Sequence, residues 1–186
     1  MISYYFQVIF LALIQGISEF VPVSSSAHLF LISSISNFNY QSLELDISLH
    51  LGSLIAILIY FRKDLINIFN KKKILNLIIF GSMPIVIIGF IFHYFELIYQ
   101  LRNLKLIAWT TLLFGIFLYL TDKNKITKTI DINLNLKNII IIGIFQVLAL
   151  IPGVSRSGIV ISASRIYNFN RIDSAKIAFY LSIPAL

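Results

Sequence analysis

Gln15-Gly16-Ile17-Ser18-Glu19-Phe20-Val21-Pro22-Val23-Ser24-Ser25-Ser26-Ala27-His28 is the stretch that decides the fold. It breaks an apolar run: Tyr4–Val21 is hydrophobic, Pro22 through Ser26 interrupt it, and Leu29–Ile35 resume it. The resumed arm, roughly 7–9 residues at ~1.5 Å each, is too short to cross a bilayer that needs ~20 residues of helix. No Lys or Arg occurs in residues 1–61, so the positive-inside rule places both ends of the stretch outside. The expectation is a re-entrant helical hairpin, with a kinked full span as the plainer alternative. Broken backbone at membrane depth is tolerated where protein or a water-filled cavity surrounds it, so the hairpin tip belongs in the interior.

A second interruption of the same kind lies downstream. Asn138–Ile151 is apolar, Pro152-Gly153-Val154-Ser155-Arg156-Ser157-Gly158 breaks the run, and Ile159–Tyr167 resume it. Lys137 precedes this stretch, Arg165 stands near its end, and Arg171 and Lys176 against Asp173 follow it, so both its ends read as cytoplasmic. The two breaks also resemble each other. Gln15, Pro22 and Ser24-Ser25-Ser26 line up with Gln146, Pro152 and Ser155-Arg156-Ser157, with only the proline slipping by one position. Similar segments entering from opposite sides are the mark of inverted-topology repeats, whose sites lie near the midplane at the repeat interface.

Between the breaks lie three segments long enough to span: Leu43–Phe61, Ile74–Phe95 and Leu104–Thr121. The 62–73 connection carries Arg62, Lys63, Lys71, Lys72 and Lys73 against Asp64. The 122–138 connection carries Lys123, Lys125, Lys128 and Lys137 against Asp122 and Asp131, whereas 96–103 is poorer, with Arg102, Lys105 just beyond it and Glu96. The first two are therefore cytoplasmic and the third outside, an alternation that three spans satisfy. Composition agrees: 58% of residues are hydrophobic and 12% charged, against ~25% charged in soluble domains. The expected fold is an all-α polytopic membrane protein forming a single membrane domain over 1–186. Repeat one covers 1–121; repeat two, 138–186, is incomplete.

Other classes fall away. The net charge of +7 sits in short clusters between apolar runs, so it does not point to nucleic acid. There is no cysteine, which excludes disulfides and thiolate metal sites. Met1–Tyr5 carries no Lys or Arg, so no cleavable signal is expected.

Once the loop charges are set aside, few ionisable groups remain: Glu19, His28, His50 and Arg156, with Glu44 and Asp46 near a span entrance. Ionisable groups inside a membrane are costly and default to functional hypotheses. Arg156 stands between Ser155 and Ser157 and beside two glycines, and a guanidinium grips phosphate oxygens bidentately. The plainer readings are snorkelling to the headgroups or a structural pair with Glu19. Ser24, Ser25 and Ser26 can cap a helix, contact phosphate or supply a nucleophile. His28 follows Ser25 by three residues, on one face if the helix has begun, which suits activation of a hydroxyl. Gln15 and Glu19 share a helical face, where their oxygens could hold a divalent cation such as Mg; Glu19 could equally be a general base or the counter-ion of Arg156. His50 either lines the cavity or is an ordinary helix-contact histidine.

On these residues the chain resembles the undecaprenyl-diphosphatases, the bacitracin-resistance phosphatases. Gln15 through His28 look like their first signature, Pro152 through Gly158 like their second, and Leu49-His50-Leu51-Gly52-Ser53 like the segment between. The resemblance implies hydrolysis of a phosphoric anhydride, undecaprenyl diphosphate to undecaprenyl phosphate, which recycles the carrier for peptidoglycan synthesis. It further implies a polyprenyl diphosphate lipid as partner, the bacterial inner membrane as location, a site opening to the periplasmic face, and dependence on a divalent cation, Mg or Ca. Carried over by position, Glu19, Ser25, His28 and Arg156 match the catalytic residues, with Gln15 a weaker partner. Ser24, Ser26, Ser155 and Ser157 join Arg156 around the phosphates. The attacking group is either Ser25, helped by His28, or a water.

Members of that family continue for several more spans, whereas this chain stops at Leu186 inside an apolar run begun at Ala175. A shortened second repeat is therefore expected, which bears on activity. The rival reading is a transporter or flippase of a phosphorylated lipid, since inverted repeats with hairpins are transporter architecture. A purely structural membrane subunit would leave the buried charges unexplained.

Overall fold

Proline and serine end one helix and begin the next at both interruptions. The computed structural model describes every residue except Met1, Asn37, Asn39, Tyr40, Gln41, Ile98, Tyr99, Gln100 and Leu186. Helix α1 (Ile2–Ser18) stops before Glu19, and α2 (Ser25–Ile35) begins after Ser24, whose Oγ accepts from Ala27 N at 3.3 Å. Farther on, α8 (Leu136–Gln146) tightens into a 3₁₀ turn at Val147–Leu150, and α9 (Arg156–Ile166) starts after Ser155, whose Oγ accepts from Gly158 N at 3.2 Å. Each serine satisfies one of the free amides that every helix N-terminus presents.

This capping corrects the expected arm lengths. Both second arms have 11 residues, because Ser25–His28 and Arg156–Gly158 form the first turn of a helix and are not loop. At ~1.5 Å per residue each arm is still about half of a bilayer core.

The helices between supply the frame: α3 (Leu43–Tyr60), α4 (Arg62–Asn70), α5 (Lys72–Tyr94), α6 (Leu104–Asp122) and the short α7 (Ile130–Asn133), with α10 (Arg171–Ala185) closing the chain. The expected spans fall on α3, α5 and α6. Among the described residues, α5 and α6 are long and apolar enough to cross a membrane. Most of their apolar surface, such as Phe90, Trp109 and Leu113, lies exposed. Water would not tolerate so large an exposed patch, and lipid would. The 62–73 connection, read as a loop, is largely helical: α4 turns Ile68 inward and leaves Arg62 and Lys63 exposed. The 96–103 connection lies partly outside the described residues. No strand occurs among those residues beyond a single bridge between Lys128 and Phe169, so the protein is all-α.

Two close approaches fix the second hairpin. Where α5 crosses α8, a Cβ on Gly143 would stand 1.9 Å from the carbonyl oxygen of Gly81; paired small residues let membrane helices approach this closely. At the break itself Gly153 adopts φ +93, and a Cβ there would meet Thr110 Oγ1 at 2.1 Å. The carbonyls freed by the break need donors, and α6 provides them. Thr110 donates to the Pro152 carbonyl at 2.7 Å and Thr111 to that of Gly153 at 3.2 Å.

The buried core gathers on this half, around Ile142, Val160, Ala163, Phe169, Ile177 and Leu181. Arg165, counted above as a cytoplasmic loop charge, is buried. It donates to the carbonyls of Phe169 (2.6 Å), Asp122 (2.7 Å) and Asn124 (2.7 Å), which ties the end of α9 to the end of α6. Its charge serves the fold.

Candidate active site

The two breaks meet tip to tip, and Glu19 is where they meet. Ser157 Oγ, in the first turn of α9, donates to the carbonyl of Val21 in the first break at 3.3 Å. Beside this contact the Glu19 side chain is almost fully buried, 3% exposed. Its Oε1 receives a charge-assisted hydrogen bond from the Arg156 guanidinium. Its Oε2 accepts from Gln15 Nε2 at 2.7 Å and from Ser25 Oγ at 2.7 Å. A buried carboxylate requires such partners, since an unpaired one would carry a large desolvation penalty.

The third neighbour of Oε2 comes from α3. His50 Nε2 lies 3.4 Å from it, while His50 Nδ1 donates to the Asp46 carbonyl at 2.7 Å. Ser53 Oγ accepts from Gln15 Nε2 at 3.5 Å, a long bond. Asp46, His50 and Ser53 follow one another at helical spacing, so one face of α3 is turned toward the site. That spacing was open to inspection in the sequence. His50 therefore lines the cavity, and Ser53, the last residue of the segment between the two signatures, belongs to the same cluster.

Around Glu19 lies a cavity of about 310 Å³ whose polar wall includes Ser24, Ser25, Ser26, Ser155 and Arg156. Helices α2 and α9 both begin at this wall, so their N-terminal amides and positive dipole ends favour an anion there. Ser24 and Ser26 hydroxyls are 3.2 Å apart, as are those of Ser155 and Ser157. The two signatures thus have the same local geometry.

Two expected members face elsewhere. His28 Nδ1 donates to the Ser24 carbonyl at 2.7 Å, and its ring borders a separate space of about 140 Å³ beside Thr111 and Phe114. Ser25 is bonded to Glu19, and no Ser25–His28 bond occurs among the described residues. One helical face spans a broad arc, so spacing of three did not guarantee contact. Ser157 likewise turns from the polar cavity toward an apolar one of about 440 Å³ bordered by Ala56, Tyr60 and Phe179. Glu19 and Arg156 border both spaces.

For a divalent cation the fit rests on oxygen donors. Gln15 Oε1 is buried without a hydrogen-bond partner, one residue type and one turn away from Glu19. No cluster of three His, Asp or Glu side chains able to hold a metal occurs among the described residues. An oxygen-seeking ion that keeps water and phosphate ligands, as Mg does, suits one carboxylate and one amide oxygen.

Asp46, at the entrance of α3, has a partner that its own sequence neighbourhood does not reveal. Arg102 donates to Asp46 Oδ2 at 2.5 Å, and both side chains line the polar cavity. Arg102 had been counted as a loop charge.

Residues 8–186 match the family described as "Bacitracin resistance protein BacA". An undecaprenyl-diphosphatase of Pelagibacter ubique (strain HTCC1062) is 56% identical over 187 residues, covering 100% of this chain and 73% of the relative. One from Elusimicrobium minutum (strain Pei191) is 43% identical, covering 96% of this chain and 71% of its own length. A third, from Aliivibrio salmonicida (strain LFI1238), is 37% identical, covering 98% and 73%.

Proposed function

We propose, from the premise that this chain belongs to the BacA family of bacitracin resistance proteins, that it cleaves undecaprenyl diphosphate at the junction of Glu19, Arg156 and Ser25. The chain is a membrane hydrolase of the undecaprenyl-diphosphatase type. Its reaction releases phosphate and returns undecaprenyl phosphate to peptidoglycan synthesis. The single observation that carries the site is the Glu19 carboxylate, which touches Arg156 of one break and Ser25 of the other.

In the resting arrangement Arg156 neutralises Glu19. An arriving phosphate competes for the guanidinium, whose planar fork matches phosphate oxygens. Withdrawal of Arg156 frees the carboxylate beside the Ser25 hydroxyl. Glu19 then takes the Ser25 proton, and Oγ attacks the terminal phosphorus. The bond to the bridging oxygen breaks, and undecaprenyl phosphate departs. Water, deprotonated by the same carboxylate, cleaves the seryl phosphate and restores Ser25. His50 Nε2, 3.4 Å from Glu19 Oε2, is a place to pass the proton on. Arg156, the serine hydroxyls and the two helix N-termini stabilise charge gathering on the transferred phosphoryl group, which is where phosphoryl-transfer catalysis chiefly lies. His28, bonded to the Ser24 carbonyl, is in this scheme a positioning residue for the first turn of α2.

A divalent cation, Mg or Ca, is part of the proposal, held by Glu19 and the unpartnered Gln15 Oε1 together with substrate oxygens. When bound it would neutralise diphosphate charge. The basic connections at 62–73 and 122–138 support an inner-membrane orientation with the polar cavity opening outward. The matched signatures entering from opposite sides support an inverted repeat. A flippase on the same site is not favoured, because the relatives carry a hydrolase name and a serine bonded to a carboxylate serves hydrolysis.

The test is phosphate release from undecaprenyl diphosphate in detergent, where no transport is possible. Wild-type chain should release phosphate, and Arg156→Ala should abolish release. Near-normal release by Arg156→Ala would remove it from the site.

A further inference from the structure

Arg156 is not the one guanidinium in the polar cavity. Arg102 lies at the foot of α6, two residues before its first residue, and reaches the same space. Its side chain is 19% exposed and that of Asp46 7%, so neither is a solvated surface charge. The guanidinium carbon sits 5.7 Å from the centre of the Phe30 ring on α2, a cation–π distance. One side chain is thus held from two directions, by a carboxylate of α3 and an aromatic ring of α2. Among the described residues its hydrogen bond to Asp46 is the only one it makes, and a guanidinium has five N–H donors. The remaining donors are available to the cavity.

A diphosphate carries two phosphates, and the cavity holds two arginine–carboxylate pairs: Arg156–Glu19 and Arg102–Asp46. Arg156 shares Glu19 with the nucleophile, so it belongs to the phosphate that is attacked. We propose that Arg102 binds the other phosphate, the one that remains on the lipid after cleavage. This rests on the hydrolase reading above. Asp46 and Phe30 hold the guanidinium in place before substrate arrives, so little side-chain freedom is lost on binding.

The assignment separates the two arginines by chemistry. The phosphate held by Arg102 is present in substrate and in the lipid product, so its loss should weaken both alike. Uniform loss of binding raises KM and leaves kcat nearly unchanged. Arg156 meets the terminal phosphate, the one attacked and transferred, so its loss should suppress kcat.

The experiment uses the full chain in detergent, with wild type, Arg102→Ala, Arg102→Lys and Arg156→Ala. Two quantities are read: KM and kcat for polyprenyl diphosphate, and the Kd of polyprenyl monophosphate by calorimetry. For Arg102→Ala, KM and Kd should each rise about tenfold or more, the usual effect of removing a hydrogen bond to a charged group. The kcat should stay within about threefold, although the melting temperature falls because the buried Asp46 carboxylate loses its partner. Arg102→Lys should recover part of the affinity, because the charge stays while the fork is lost. An unchanged Kd in Arg102→Ala overturns the proposal, as does a lysine variant no better than alanine. If Arg156→Ala is inactive in the same series, the hydrolase reading survives that failure. Should wild type release no phosphate, the hydrolase reading fails, and the monophosphate Kd still decides whether Arg102 binds a lipid phosphate.

Discussion

Removing the Glu19 charge should unfold the site more than removing its partner does, and the structure says by how much. In Glu19→Gln the Arg156 guanidinium faces a neutral amide in a place where it is 17% exposed. Stripping one partner from a buried ion pair costs roughly 3–5 kcal/mol, and the residual exposure puts this case near the lower end, about 3 kcal/mol. Arg156→Gln leaves Glu19 still accepting from Gln15 and Ser25, so its cost should be smaller, about 2 kcal/mol, reduced by those charge-assisted bonds. The double variant has no unpaired charge and should lose about 2–3 kcal/mol, not the sum, since side chains in direct contact couple. For a chain of this size 1 kcal/mol is roughly 2–4 °C of melting temperature. Thermal unfolding of all four proteins in one detergent therefore reads the coupling directly. Additivity within about 0.5 kcal/mol, the behaviour of distant independent sites, would refute the contact.

Other outcomes follow from single contacts. Ser25→Ala should lower phosphate release at least about 100-fold, the scale of a lost nucleophile and its base contact, with KM little changed; activity close to wild type would make water the attacking group. Gly143→Ala places a methyl 1.9 Å from the Gly81 carbonyl oxygen and should cost at least about 1–3 kcal/mol by overpacking, read as a lower melting temperature. Thr110→Val removes the donor to the Pro152 carbonyl and should cost about 1–3 kcal/mol, with a matching loss of phosphate release because Arg156 lies four residues beyond Pro152. His28→Ala should lower activity less than Ser25→Ala, since its bond is to the Ser24 carbonyl; equal losses in a kcat comparison would return His28 to the reacting group.

Much of this site could be read before any coordinates. Proline and clustered serine inside apolar runs mark backbone that cannot continue as helix, and both breaks lie where those residues stand. The Glu19–Arg156 contact was one of the readings open for a buried carboxylate. What escaped was the part set by rotation of one helix against another. Nothing local to Arg102 says that it turns inward to Asp46, 56 residues away. Thr110 and Thr111 look like ordinary span residues until the freed carbonyls of Pro152 and Gly153 are seen beside them. Arg165 reads as a loop charge because three backbone carbonyls, its actual partners, leave no trace in a sequence. His28 shows the opposite error: its spacing from Ser25 permits a contact that the ring does not make.

The meeting of the two breaks is open to a direct measurement, helped by a chain with no native cysteine. Val21→Cys combined with Ser157→Cys puts one thiol on each tip, beside the 3.3 Å contact of Ser157 Oγ with the Val21 backbone carbonyl. A thiol-specific cross-linker of ~5 Å, near the Cα separation that a disulfide itself requires, should join them in native membranes in high yield, and saturating undecaprenyl phosphate should leave that yield high. Absence of cross-linking, with both thiols reactive to a monofunctional reagent, would separate the two tips and with them Arg156 from Glu19.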